Sequence, residues 1–173
     1  MSTADQSMQP AVIALGANLG DRDETLSEAV VAIADLPGVE LTGVSALIET
    51  PALKPHGIDH EAPAYLNGVV TVLTSLAPHA LLDALNAIER AHGRERTEHW
   101  GDRTLDLDLI SYGELQQSDD RLTLPHPRAA ERDFVLVPWL ELDPDASLPG
   151  LGRVDALPAS QPDGPVAGSG AQR

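Results

Sequence analysis

Leucine and aspartate alternate from Leu105 to Leu109, and the run continues through Ile110 to Tyr112. Successive side chains of a strand point to opposite faces, so Leu105, Leu107 and Leu109 predict a buried face and Asp106 and Asp108 the opposite one. The chain must therefore build a sheet with at least one covered face. It must also carry two carboxylates side by side on the other, about 6–7 Å apart at Cα. Such a pair can hold one Mg²⁺ or bridge two, with phosphate oxygens and waters completing the coordination. It can equally be a solvated strand edge.

The residues before this strand bear on that choice. Glu89 lies near the end of a helical pattern, and the loop from Gly93 carries Arg94, Arg96 and Arg103. Seven of the eleven basic residues fall between positions 90 and 132, and all seven are arginine. The planar guanidinium fork suits phosphate oxygens bidentately. Arginines beside paired acids suggest a site where a polyphosphate meets a divalent metal; a solvated helix and loop surface is the alternative. The net charge of −16 argues against nucleic acid or an anionic membrane as partner. With no cysteine, thiolate metal sites and cysteine nucleophiles are excluded. No apolar run approaches the ~20 residues of a membrane span, and no signal-peptide pattern opens the chain, so a soluble cytoplasmic protein is expected.

The remaining elements follow from periodicity. Ala11 to Gly16 reads as a buried central strand, and Gly16, Asn18 and Gly20 as a tight strand-to-helix connection. Asp21 with Glu24 is a plausible capping pair, and Leu26, Ala29, Val30, Ile33 and Leu36 mark a helix ended by Pro37-Gly38. Val39 to Ile48 predicts a strand whose parity switches at Gly43, implying a bulge. Residues 50–63 read as a long loop; His56 and His60 could pair on a metal, though Gly57 and the prolines oppose a helix there. Tyr65 to Thr74 predicts a strand with Leu66, Val70 and Val72 on one face and Tyr65, Asn67 and Thr71 on the other. Leu81, Leu82, Leu85 and Ile88 define a second helix. Arg121 to Leu124 suggests a short strand, and Ala129 to Leu140 short helical turns broken at Pro138.

The order strand, helix, strand, strand, helix, strand predicts an α+β, ferredoxin-like βαββαβ sandwich with an added C-terminal strand and short helices. Two helices would cover one sheet face and leave the other available. Asp106, Asp108, Tyr65 and Asn67 would share that open face. Residues 1–10 are expected as a flexible leader, 11–156 as one domain and 157–173 as a disordered tail poor in large apolar side chains. Trp100 either packs into the core or stacks on a ligand. His126, between two prolines, could donate to a phosphate or act as a turn histidine with a backbone partner.

The segments W-G-D-R-T-L-D-L-D-L-I, G-R-E-R, L-T-L-P-H-P-R, R-D-F, Y-L-N-G-V-V and A-L-G-A-N-L-G, in their order, resemble the 6-hydroxymethyl-7,8-dihydropterin pyrophosphokinases of folate biosynthesis from Val12 to Leu142. The resemblance implies transfer of diphosphate from ATP to the pterin hydroxymethyl group, with AMP leaving. It implies two Mg²⁺ ions held by Asp106 and Asp108, and a catalytic set of Arg94, Arg103, Asp106 and Asp108. Arg94, Arg103, His126 and Arg132 would contact the ATP phosphates, and Glu89, Trp100, Leu109, Arg121 and Thr123 would line the nucleotide site. The pterin would stack between Tyr65 and Phe134, the single phenylalanine of the chain, with Asn67 on its ring edge and Thr50, Pro51 and Leu53 completing the pocket. Segments 50–63 and 93–103 would close over the reactants. A monomer is expected.

One segment departs from that pattern. Thr97, Glu98 and His99 supply less positive charge than expected before Trp100, and predict a less strongly held triphosphate or a slower closed state. Two other functions stay open on the sequence: a ferredoxin-like module that binds nucleotide without chemistry, and a metal-dependent phosphohydrolase or nuclease using Asp106 and Asp108.

Overall fold

The computed structural model describes residues 8–17, 22–50, 52–54, 57–59, 65–93 and 105–161. In chain order these form β1 (Gln9–Ala17), α1 (Arg22–Ala34), β2 (Val39–Val44), β3 (Ile48–Thr50), β4 (Ala52–Lys54), β5 (Gly57–Asp59) and β6 (Tyr65–Thr74). There follow α2 (Pro78–Gly93), β7 (Asp106–Tyr112), β8 (Gln117–Ser118), β9 (Thr123–Leu124), α3 (Asp133–Leu142), β10 (Ser147–Leu148) and β11 (Gly152–Arg153). The main sheet has five strands in the order β2-β6-β1-β7, with β3 also pairing with β6. Every pairing in it is antiparallel. The protein is thus α+β. Among the described residues, no helix is long and apolar enough to cross a membrane.

β1 lies between β6 and β7 and is buried from Ala11 through Ala17. Its odd residues, with Leu66, Val70, Val72, Leu105, Leu107 and Leu109, pack under Leu26, Ala29 and Ile33 of α1 and Leu81, Leu85 and Ile88 of α2. The expected parities of β6 and β7, the burial of β1 and both helix stripes hold. So does the bulge: the β2–β6 register shifts between Leu41 and Gly43, where a Cβ on Gly43 would sit 2.8 Å from Thr71 Oγ1.

The opposite face is not left open as the sequence suggested. Val12, Ala14, Val69 and Ile110 pack against Ala129, Val135, Leu136, Trp139, Ala146, Leu148 and Val154 in a second core. α3 supplies most of this cover as one helix, with Pro138 inside it. A mid-helix proline forfeits a hydrogen bond and costs about 3 kcal/mol. Burial of Val135, Leu136 and Trp139 offsets that cost, since each is worth roughly 1.5–3 kcal/mol when fully buried. The second core also captures Leu157 and Ala159, and Pro158–Ser160 form a 3-10 turn whose Ser160 Oγ donates to Leu157 O at 2.8 Å. Residues 157–161 are therefore structured, where a tail was expected to begin. At the other end, β1 starts at Gln9, inside the expected leader.

The predicted continuous strand from Val39 to Ile48 is split. Ser45 interrupts it and rebuilds the ladder with its side chain. Its N–H donates to Val69 O at 2.9 Å and its Oγ accepts the Val69 N–H at 2.9 Å. The expected loop 50–63 also carries structure, because β4 and β5 pair through Ala52↔Asp59, Leu53↔Ile58 and Lys54↔Gly57.

Ser45→Ala leaves the buried Val69 N–H without its acceptor. A loss of about 1–2 kcal/mol is expected in urea unfolding, and an unchanged midpoint would contradict this role.

Candidate active site

The site begins with two rows across three strands. Gly16 pairs with Asn67 on β6 and with Asp106 on β7; Ala14 pairs with Val69 and with Asp108. Residues directly opposite in a ladder share a face, so Asn67, Gly16 and Asp106 form one row and Val69, Ala14 and Asp108 the next. Both aspartates are half-buried. Between them, the Leu107 N–H donates to Glu89 Oε2 at 2.7 Å, a charge-assisted bond from α2 to the backbone that carries both carboxylates. Beyond them the β1–β7 register shifts, leaving Ile110 as an extra residue. The Ile110 carbonyl accepts the His126 N–H at 2.8 Å, which anchors the turn bearing that histidine. Bulges commonly re-aim chain segments beside a site in this way.

Two clefts flank the aspartates, and both count Asp106 and Asp108 in their walls. The first, about 630 Å³, lies between the sheet and the start of α3, with Thr50, Tyr65, Asn67, Arg132 and Phe134 among its walls. Asn67 Nδ2 donates to Thr50 Oγ1 at 2.9 Å, so the Asn67 carbonyl oxygen faces Gly16 and the cleft. Arg132 lies over the Phe134 ring, 5.7 Å from its centre, and its Nη1 is 3.6 Å from Asp108 Oδ2. The second cleft, about 540 Å³, is walled by Glu89, Leu109, Asp119, Arg121, Thr123 and His126 among others. Leu109 turns its side chain into the core, so it meets this cleft through its backbone. Arg121 pairs with Asp83 of α2.

His126 is fixed in one form. Its Nδ1 accepts the Arg128 N–H at 3.1 Å, which leaves the ring proton on Nε2 as a donor. Burial holds its pKa below the ordinary histidine value; Asp108 pulls it up, and Arg132 and Arg128 push it down. The ring is therefore neutral near pH 7. His126 is thus a turn histidine with a backbone partner, and it lines the second cleft.

The structure thus gathers Asp106, Asp108, Glu89, Leu109, Arg121, Thr123, His126, Arg132, Thr50, Tyr65, Asn67 and Phe134 around two adjoining clefts. Pro51, Arg94, Trp100 and Arg103 lie outside the described residues, as do Arg96, His99, His56 and His60. Leu53 is described only in its backbone, within β4. Two cleft residues were missed from sequence. Gly16 reads there as a turn glycine yet lies within β1, and Ala14 reads as core. Pairing β1 with the Asn67 and Asp106 strands would have revealed both.

Among the described residues, no group of three or more His, Cys, Asp or Glu could hold a metal ion. The Asp106–Asp108 pair nevertheless fits Mg²⁺, which is commonly bound through one or two carboxylates together with substrate phosphates.

One cleft edged by two aromatic rings and an amide and a second edged by charged groups and a histidine share one carboxylate pair, an arrangement suited to two substrates meeting at that pair. Residues 12–144 match the family model of 7,8-dihydro-6-hydroxymethylpterin-pyrophosphokinase, and the chain belongs to that family. It is 43% identical over 148 residues to the 2-amino-4-hydroxy-6-hydroxymethyldihydropteridine pyrophosphokinase of Synechocystis sp., covering 86% of this chain and 73% of that one. The protein of the same description from Methylorubrum extorquens is 41% identical over 157 residues, 91% of this chain and 97% of that one. The solved structure of Plasmodium falciparum HPPK-DHPS wild type with SDX-DHP superposes with a TM-score of 0.64 at 13% identity, over 87% of this chain. At that identity the likeness is one of fold, and this chain spans 44% of the Plasmodium chain.

Glu89→Ala removes the acceptor between the two aspartates. A stability loss of about 1–2 kcal/mol in chemical unfolding is expected, because hydrogen bonds to charged groups are worth roughly 1.5–3 kcal/mol and this one is partly exposed. Wild-type stability would refute the role.

Proposed function

We propose that the protein transfers diphosphate from ATP to the hydroxymethyl group of 6-hydroxymethyl-7,8-dihydropterin, releasing AMP, in folate biosynthesis. The observation that carries this reading is the sharing of Asp106 and Asp108 by two clefts of different character. A flat heterocycle suits the first, where Tyr65 and Phe134 offer ring faces and Asn67 Oδ1 accepts from ring N–H or amino groups. Thr50, Pro51 and Leu53 complete that pocket in this reading. A triphosphate suits the second, which Glu89, Leu109, Arg121, Thr123 and His126 line; in this reading the His126 Nε2–H and, from the wall of the first cleft, Arg132 are directed to phosphate oxygens, and Trp100 is assigned to the nucleotide with them. Arg94 and Arg103 are assigned to the phosphates with them.

The pterin hydroxyl oxygen bonds to the β-phosphorus as the bond from that phosphorus to the α–β bridging oxygen breaks. The bridging oxygen leaves on AMP, and the hydroxyl proton passes to solvent. Asp106 and Asp108 would hold Mg²⁺, two ions being expected, and the metal would supply charge neutralisation to the diphosphate oxygens. The chain's own contribution is placement. Asn67 and the aromatic pair fix the heterocycle, and Arg132 with His126 fixes the phosphates. Such orientation and charge stabilisation supply most of the acceleration in phosphoryl transfer.

The strand order and all-antiparallel pairing support reading the fold as ferredoxin-like, with α3 and the two small C-terminal strands added over the second face. The same reading carries a cytoplasmic monomer that binds neither nucleic acid nor membrane, consistent with a net charge of −16.

The test is AMP release from ATP and Mg²⁺ with and without the hydroxymethyl dihydropterin. Pterin-dependent AMP release is expected, falling by roughly 10²- to 10³-fold or more in Asp106→Asn. Phosphate release indifferent to the pterin, or full activity in Asp106→Asn, would overturn the proposal.

A further inference from the structure

We infer that Gly16 is a specificity-determining position for the first cleft: its missing side chain is the space in which the heterocycle lies between Asn67 and Asp106. The inference rests on the proposed function for the nature of the occupant, and on the sheet register for the space. Asn67, Gly16 and Asp106 are consecutive partners across β6, β1 and β7. At roughly 5 Å per cross-strand step, Asn67 and Asp106 stand about 10 Å apart at Cα. Any side chain on Gly16 would rise between them, from the floor of the cleft it lines.

The surroundings make that floor exacting. A Cβ on Gly16 would lie 3.1 Å from Asn67 Oδ1 and 3.8 Å from Tyr65 Cδ2. Asn67 Oδ1 is the atom left to face the cleft once Nδ2 has donated to Thr50 Oγ1. A methyl group there would displace the acceptor that reads the heterocycle and occupy the space beside the Tyr65 ring.

Backbone conformation does not account for this glycine. Among the described residues the positive-φ glycines are Gly38, Gly113, Gly150 and Gly152, whereas Gly16 is extended within β1. Mid-strand, glycine is less stable than alanine because it loses more conformational freedom on folding. Conformation alone would favour alanine; the geometry of the cleft favours glycine.

Gly16→Ala separates the two influences. The expected variant is folded, with a melting temperature equal to or above wild type, an unchanged KM for ATP and kcat/KM for the pterin lowered roughly ten- to hundredfold, the range of one methylene in a tight pocket. A direct titration of pterin into Gly16→Ala should weaken in parallel. Combination with Asn67→Ala should be less than additive, because the added methyl acts through that amide. A folded Gly16→Ala with wild-type pterin kcat/KM overturns the inference. So does a lowered melting temperature with both substrates weakened alike, which would make Gly16 a scaffold residue. Wild-type protein lacking pterin-dependent AMP release would instead defeat the proposed function, so the two failures are distinguishable.

Discussion

The structure depends on one strand buried on both faces. β1 is central, and every residue from Ala11 to Ala17 is buried. Its odd side, Ala11, Ile13, Leu15 and Ala17, seats α1 and α2 throughout. Its even side runs Val12, Ala14, Gly16, and the side chain shrinks at each step. Where Val12 and Ala14 stand, the C-terminal segment packs down on the sheet. Where Gly16 stands, that cover ends and the cleft opens. The hydrophobic contact that holds the second layer in place therefore also decides where it stops, and the active-site floor is the end of the same taper.

Much of this was legible because strand parity is a local property. The alternation at 105–109 fixes which face each leucine and aspartate must take, and the Tyr65–Thr74 pattern does the same for Asn67. The bulge at Gly43 was visible as a break in alternation. The cover on the second face was not, because Pro138 argued against a helix that long-range packing of Val135, Leu136 and Trp139 stabilises. The 52–59 hairpin is too short to show periodicity. Leu157 and Ala159 are few among polar neighbours, so their burial depends on a surface made elsewhere in the chain. Gly16 shows the same limit at the site, since a glycine that supplies space and one that supplies a turn look alike until strands are paired.

Function follows from adjacency rather than from any single side chain. A module that only bound nucleotide would use the second cleft, and the first would have no task. A simple phosphohydrolase would need the aspartates but not an aromatic pair with an oriented amide beside them. Placing both clefts against one carboxylate pair is possible because, among the described residues, β7 is an outer strand whose neighbour, β1, is floored by small residues. The Glu89 bond to Leu107 and the His126 bond to Ile110 help to hold that strand in place.

Arg132 is the residue through which the two clefts share charge. It leads into α3, so the helix that covers the second core also sets its position. Its guanidinium lies over Phe134 and reaches toward Asp108, at 3.6 Å an ion-pair contact longer than a hydrogen bond. A partly exposed pair of this kind is worth at most about 1 kcal/mol, so Arg132 is only weakly committed to Asp108. In a chain of net charge −16, a cation beside Asp108 offsets part of the repulsion between the two carboxylates. The same placement ties the aromatic wall of the first cleft to the carboxylate pair, so that packing of α3 against the sheet positions both.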